Sequence, residues 1–315
     1  MTKRLRVGLI GCGAIAQIMH IPYLVEYDEK FELVALADNY RPVLDAVADR
    51  YHVKDRYSDW RELMSRDDIE AVVICHSGSH RDSVIAAVDA NKHVFVEKPL
   101  GWNLRETQEV AERVSRSDRI VQMGYHKLYD PAFAYAKEHV QKMRDLGFVR
   151  ITVLHPVNEL GFSPHRLRRG NGVIVEGHVD PGTWEDQVRG QLNGLAGGEL
   201  TALVDEVLGA RKDDTRLRLG YGMMTVSLIH QVYMMFGFLG EPLRVVRTEI
   251  WREGESIHSV LEYPYDVRCT IDWHFLSHLK DYREEYAFFG NYDRVILQFP
   301  SPYFGSSADY VEPGW

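Results

Sequence analysis

Near its amino terminus the chain reads Val7-Gly8-Leu9-Ile10-Gly11-Cys12-Gly13-Ala14-Ile15-Ala16, a short apolar run broken by two close glycines and followed by helical spacing. Few patterns restrict a fold as tightly. In G-x-G-x-x-A at a strand end, the first glycine permits a tight turn and the second brings bare backbone against a phosphate. The small third residue lets helix and strand pack closely. The helix that opens there turns unpaired N–H groups and its positive dipole end toward an anion, worth about 1 kcal/mol. The next apolar run, Phe31–Ala37, ends in Asp38. A carboxylate at that place accepts hydrogen bonds from the ribose hydroxyls of an adenosine and repels a 2′-phosphate, which favours NAD over NADP. Arg41 is close enough in sequence to hold a 2′-phosphate instead.

The same strand–helix alternation continues. Leu5–Ile10, Phe31–Ala37, 71–75, His93–Val96 and 120–123 are continuous apolar runs, the pattern of parallel strands covered on both faces. Between them 14–26, 42–51, 59–65, 80–90 and Leu104–Ser115 have helical spacing. This predicts an α/β Rossmann domain over residues 1–123, with a doubly wound parallel sheet.

Beyond residue 124 the texture changes. Residues 131–143 predict a helix and 148–154 a strand; 184–210 is amphipathic and 223–238 strongly apolar and helical. From 243 onward apolar and polar residues alternate at period two, over 243–251, 256–263, 267–274, 284–289 and Arg294–Phe299. One face of such a sheet is buried and the other open. Residues 124–315 are therefore expected to form an α+β domain with a largely antiparallel open sheet, which binds substrate and mediates oligomerisation. An inserted loop-helix region is expected at about 158–220.

The formal net charge of −9 argues against a nucleic-acid or anionic-membrane surface. No signal peptide is read, and no apolar stretch approaches the roughly 18 residues of a membrane span. Three scattered cysteines, Cys12, Cys75 and Cys269, show neither a disulfide framework nor a metal pair. The expectation is a cytoplasmic protein with no bound metal.

A second motif sharpens the reading. His93-Val94-Phe95-Val96 runs directly into Glu97-Lys98-Pro99. Ligands of open α/β sheets sit at the carboxyl ends of strands, so Lys98 falls where a nicotinamide belongs. With the glycine loop, with 68–74 leading into a strand, with His80 opening a helix, and with Gly124-Tyr125 and Tyr129-Asp130-Pro131-Ala132-Phe133 at the domain junction, the chain resembles the Gfo/Idh/MocA family (glucose–fructose oxidoreductase / inositol dehydrogenase). The resemblance implies an NAD(P)-dependent oxidoreductase that acts on a hydroxyl of a sugar, cyclitol or related glycoside. It implies cofactor contacts from Gly11, Gly13, Ala14, Ile15, Ala16, Asp38, Arg41, Cys75, His76, His80, Glu97 and Lys98. Lys98 would polarise the reacting oxygen.

Members of that family carry Asp-x-x-x-His on a helix of the second domain. Here Val226 takes the aspartate position and His230 the histidine, which makes His230 the expected proton acceptor. Substrate contacts are expected from Lys98, His126, Lys127, Arg166, His178, His230 and Tyr233, with a homodimer or homotetramer formed through the open sheet. His76-Ser77 replaces the Pro-Asn usual after the fourth strand. The family pattern continues past the last strand with a further helix, whereas this chain stops at Trp315, either short or incomplete. Glu176, His178 and Asp180 at alternate positions form a minor metal-binding alternative. Two other functions are compatible with these residues. One is an enzyme that retains NAD for transient oxidation during epimerisation, elimination or glycoside cleavage. The other is a non-catalytic dinucleotide sensor.

Overall fold

The structure is a computed structural model that describes residues 3–168, 174–175, 199–303 and 310–313. It divides into two compact units: residues 1–124 with 163–177, and residues 125–162 with 178–315.

The first unit holds a six-stranded sheet in the order β3-β2-β1-β4-β5-β6, where β1 is Leu5–Ile10, β2 Phe31–Ala37, β3 Asp55–Tyr57, β4 Ala71–Ile74, β5 His93–Val96 and β6 Val121–Met123. Every pairing is parallel. The direction of strand succession reverses at β1, where such sheets bind ligands. The edge strand β3 escaped the sequence reading. Asp55-Arg56-Tyr57 has no apolar run, and its backbone pairing with 35–37 decides its conformation.

Local chemistry places the helices. Asp59 caps Trp60–Met64 by accepting from the Arg61 N–H at 2.9 Å. Asn103 caps Leu104–Ser115 by accepting from the Glu106 N–H at 2.9 Å, while Glu106 reaches back to the Trp102 N–H at 2.8 Å. These contacts satisfy donors that a helix start leaves unpaired. The helix after the glycine loop is not regular: Ala16–His20 winds as a π turn before the α-helix Ile21–Glu26.

The second unit holds a seven-stranded sheet in the order β10-β11-β12-β7-β13-β14-β15. These are β7 Phe148–His155, β10 Arg244–Trp251, β11 Ser256–Glu262, β12 Arg268–Phe275, β13 Arg283–Phe289, β14 Arg294–Phe299 and β15 Tyr310–Pro313. The short pair β8 Leu167–Arg168 and β9 Ile174–Val175 lies between β7 and β10 in the chain. Only β12 and β7 run parallel; the other pairings are antiparallel. Val149, Ile151, Val153, Ile271, Trp273, Tyr286 and Phe288 form the buried face. The helices Pro131–Lys142 and Ile229–Leu239 cover it, with Phe238 against Phe133 at 4.8 Å and against Phe288 at 4.7 Å between ring centroids. Each large side chain of this kind contributes roughly 1.5–3 kcal/mol by leaving water.

The open sheet face carries Arg150, Thr152, His258 and Asp272 in its middle, and His258 pairs with Asp272 at 2.7 Å. Apolar exposure gathers on the edge strand instead, at Val245, Val246 and Trp251. Among the described residues, Thr215–Leu239 is 25 residues long and apolar enough to cross a membrane by length and composition, contrary to the sequence expectation. Its Leu228, Tyr233, Met234, Met235 and Phe238 are buried in the core of the second unit.

Candidate functional site

The carboxyl edge of the parallel sheet is built strand by strand. The Gly11 N–H donates to the Ala37 carbonyl at 2.8 Å, Cys75 to Ile10 at 2.7 Å, Glu97 to Ile74 at 2.9 Å and Gly124 to Val96 at 2.8 Å. The residues that follow β2, β1, β4 and β5 are thereby gathered along one edge.

Gly11 has φ +91°, and a Cβ there would fall 2.4 Å from the His76 backbone nitrogen. The residue is glycine for two reasons, the left-handed turn and the approach of the β4 loop. A Cβ on exposed Gly13 would meet nothing within 4 Å. Bare backbone beside open space, at the start of a helix, fits a pyrophosphate. Ala14 and Ile15 are half-buried in the first turn, and Ala16 is fully buried against the sheet.

Asp38 closes this loop. Its Oδ2 accepts from the Cys12 N–H at 2.7 Å and its Oδ1 from the Tyr40 N–H at 2.7 Å. Arg41 pairs with Asp45 at 2.8 Å along its own helix. Cys75 directly follows β4, where burial, then the charges of Glu97 and Cys12, push its thiol well above the usual range.

His76 contacts the Ser77 carbonyl through Nδ1 and Ser83 Oγ through Nε2, both at 2.9 Å, and burial holds its pKa below the ordinary value. His80, 2% exposed, lies 2.6 Å from the Pro99 carbonyl and 2.7 Å from the His76 carbonyl. Burial, then repulsion from His76, lowers its pKa as well. Expected as a cofactor contact, His80 supports the Glu97-Lys98-Pro99 turn from the interior.

Glu97 is the group that sequence reasoning left without a partner. Its Oε1 lies 2.8 Å from His20 Nε2, and its Oε2 accepts the Lys98 N–H at 3.2 Å. Burial opposes ionisation, but the His20 hydrogen bond and charge and the Lys98 charge outweigh it and hold the carboxyl below its usual range. His20 had no sequence signal of its own. The only hint was a histidine one π turn beyond the glycine motif.

In the second unit His230 is half-buried, with Nδ1 2.9 Å from the Tyr233 hydroxyl. Tyr233 stacks on Tyr125 at 4.3 Å, and exposed His126 meets His230 edge-on at 5.4 Å. A π turn, Met224–Leu228, contains Val226 and ends just before His230. Lys127, expected to reach substrate, is 4% exposed and paired with Glu284. That carboxylate also accepts from Gln231 Nε2 at 2.7 Å and from the Tyr282 and Tyr286 hydroxyls at 2.6 Å each. Lys127 is a buried structural charge.

Arg166, expected over the substrate, belongs to the first unit: its side chain is exposed and its carbonyl accepts from Arg50 at 2.7 Å. Glu176, His178 and Asp180 lie outside the described residues. Among the described residues no group of three His, Cys, Asp or Glu side chains is arranged for a metal ion.

The fold and this strand edge define a dinucleotide-binding Rossmann protein, and residues 5–125 match the family model described as an oxidoreductase family with an NAD-binding Rossmann fold. Over those residues the chain is similar to that family, Gfo/Idh/MocA. It is 34% identical over 138 residues to the myo-inositol 2-dehydrogenase of Thermotoga maritima, covering 44% of this chain and 41% of that protein. It is 33% identical over 136 residues to the inositol 2-dehydrogenase of Salmonella typhimurium, covering 42% and 40%. The matched stretch spans about 41% of the length of the first of these curated relatives. The fold resembles the crystal structure of scyllo-inositol dehydrogenase from Lactobacillus casei with bound NAD(H) and scyllo-inositol, at TM-score 0.70 and 17% identity over 95% of this chain and 77% of that one. Myo-inositol 2-dehydrogenase from Lactobacillus plantarum gives TM-score 0.71 at 19% identity, over 93% and 76%.

Proposed function

We propose that the protein is an NAD(P)-dependent oxidoreductase that moves a hydride between the nicotinamide and a hydroxyl-bearing carbon of a sugar, cyclitol or related glycoside. One observation carries the reading: Lys98 follows β5 on the same carboxyl edge that carries the Gly11–Gly13 loop and Asp38. When bound, the dinucleotide supplies the two-electron acceptor. Lys98 holds and polarises the reacting oxygen, and His230, held by Tyr233, carries the proton. A cyclitol is the preferred substrate class, because the similar proteins are named inositol dehydrogenases. The reading favours NAD over NADP, supported by a carboxylate, Asp38, directly after β2 and by the engagement of Arg41 with Asp45. Assembly into a homodimer or homotetramer belongs to the same reading and is tested by sedimentation.

The test is reduction of NAD by the purified protein, followed by absorbance, over a panel of myo-inositol, scyllo-inositol and aldoses. Turnover with at least one polyol is expected, with near-complete loss in Lys98→Ala and in His230→Ala. Tight NAD binding without turnover on any polyol would sink the proposal. Full activity in His230→Ala would remove the proton-carrier role alone.

A further inference from the structure

The reaction as proposed makes no use of His20, yet this residue is built into the lysine turn. Its Nε2 meets Glu97 Oε1 at 2.8 Å, with the two side chains only 14% and 16% exposed. The other carboxylate oxygen, Oε2, accepts the backbone N–H of Lys98 at 3.2 Å. Glu97 thus grips the peptide that launches the Lys98 side chain. The carboxylate is walled on another side by Gly124, where a Cβ would lie 3.1 Å from Oε1. The His20 ring stands edge-on to Phe95, two residues earlier on β5, at 5.3 Å. His20 also ends the π turn that starts at Ala16, the last residue of the glycine motif.

We propose that His20 and Glu97 form a positioning pair that sets the orientation of Lys98 and ties it to the helix that follows the dinucleotide loop. The inference rests on the reading of Lys98 as the substrate-facing lysine. A side chain held in this way is pre-organised, and displacement of a positioned group by an ångström can cost about 100-fold in rate. Besides His20, the groups that interact with the Glu97 charge are Lys98, Cys75 and His80.

The experiment combines nuclear magnetic resonance of the full 15N-labelled chain with steady-state kinetics. The Lys98 amide resonance should move in His20→Ala and stay near its parental position in His20→Gln, which keeps an N–H donor for Glu97. In kinetics His20→Ala should lower kcat by about 10- to 100-fold, with NAD affinity and melting temperature unchanged, and His20→Gln should recover most of the loss. A Lys98 amide resonance unmoved in His20→Ala overturns the pairing. A parallel loss of kcat, NAD affinity and melting temperature in His20→Ala reduces the residue to a structural role. Full activity in Lys98→Ala, with the Lys98 amide still responding to His20→Ala, would instead reject the functional reading while leaving the pair in place.

Discussion

The Cys12 N–H donates to Asp38 Oδ2 across 2.7 Å, so the carboxylate that ends β2 closes the glycine loop that ends β1. Asp38 thereby holds the loop, and in the proposed function it also meets the ribose. Asp38→Ala removes a hydrogen bond to a charged group, worth roughly 1.5–3 kcal/mol. NAD affinity should fall about 10- to 100-fold, read by fluorescence titration. The preference for NAD over NADP should narrow in the same variant, because the repulsion of a 2′-phosphate goes with the charge.

The two loop glycines should fail in different ways. Gly11→Ala puts a Cβ 2.4 Å from the His76 nitrogen at φ +91°, so the protein should lose several degrees of melting temperature before any ligand is added. Gly13→Ala meets nothing within 4 Å and should melt like the parent, yet bind NAD at least about tenfold more weakly because the methyl group takes the place of the pyrophosphate. Equal melting losses in both variants would contradict this separation.

Lys127 and Glu284 form a buried ion pair, so removing one partner leaves an uncompensated charge. Lys127→Met should cost about 3–5 kcal/mol, and Lys127→Met with Glu284→Gln should cost less. Burial opposes the charge on Glu284, but the Lys127 charge and hydrogen bond and the Tyr282 and Tyr286 hydroxyls hold its pKa below the ordinary value. A carboxylate depressed on folding stabilises the native state above its unfolded pKa of about 4.3. That contribution disappears as pH falls through the depressed native value. Denaturant melts should therefore show the parent and Glu284→Gln converging only in acid.

The Tyr233 hydroxyl lies 2.9 Å from Nδ1 of His230. Tyr233→Phe retains the stack on Tyr125 and removes that contact. It should lower kcat by about tenfold with little change in KM, a smaller loss than His230→Ala. Unchanged kcat would leave Tyr233 a packing residue.

How far the sequence led depends on where the information lies. The parallel strands were legible because β1, β2, β4 and β5 are continuous apolar runs, and the glycine motif marks one strand end unambiguously. β3 was not, because Asp55-Arg56-Tyr57 becomes a strand only by pairing with its neighbour. The π turns at Ala16–His20 and Met224–Leu228 leave no trace in apolar spacing. The contacts of Lys127 and His20 were hidden for a further reason. Each depends on a carboxylate far away in sequence, Glu284 and Glu97, and only the folded chain brings them together.

Residues 163–177 return to the first unit although they follow the first stretch of the second. Gln17 exchanges two hydrogen bonds with the Arg168 backbone, at 2.8 and 3.0 Å, and also donates to the Cys12 carbonyl at 2.8 Å. The first unit is thus discontinuous along the chain. A recombinant fragment ending at residue 124 would keep the Cys12 contact of Gln17 but lose both Arg168 contacts, and exchanging only the leading segment between relatives would leave behind part of what supports the glycine loop.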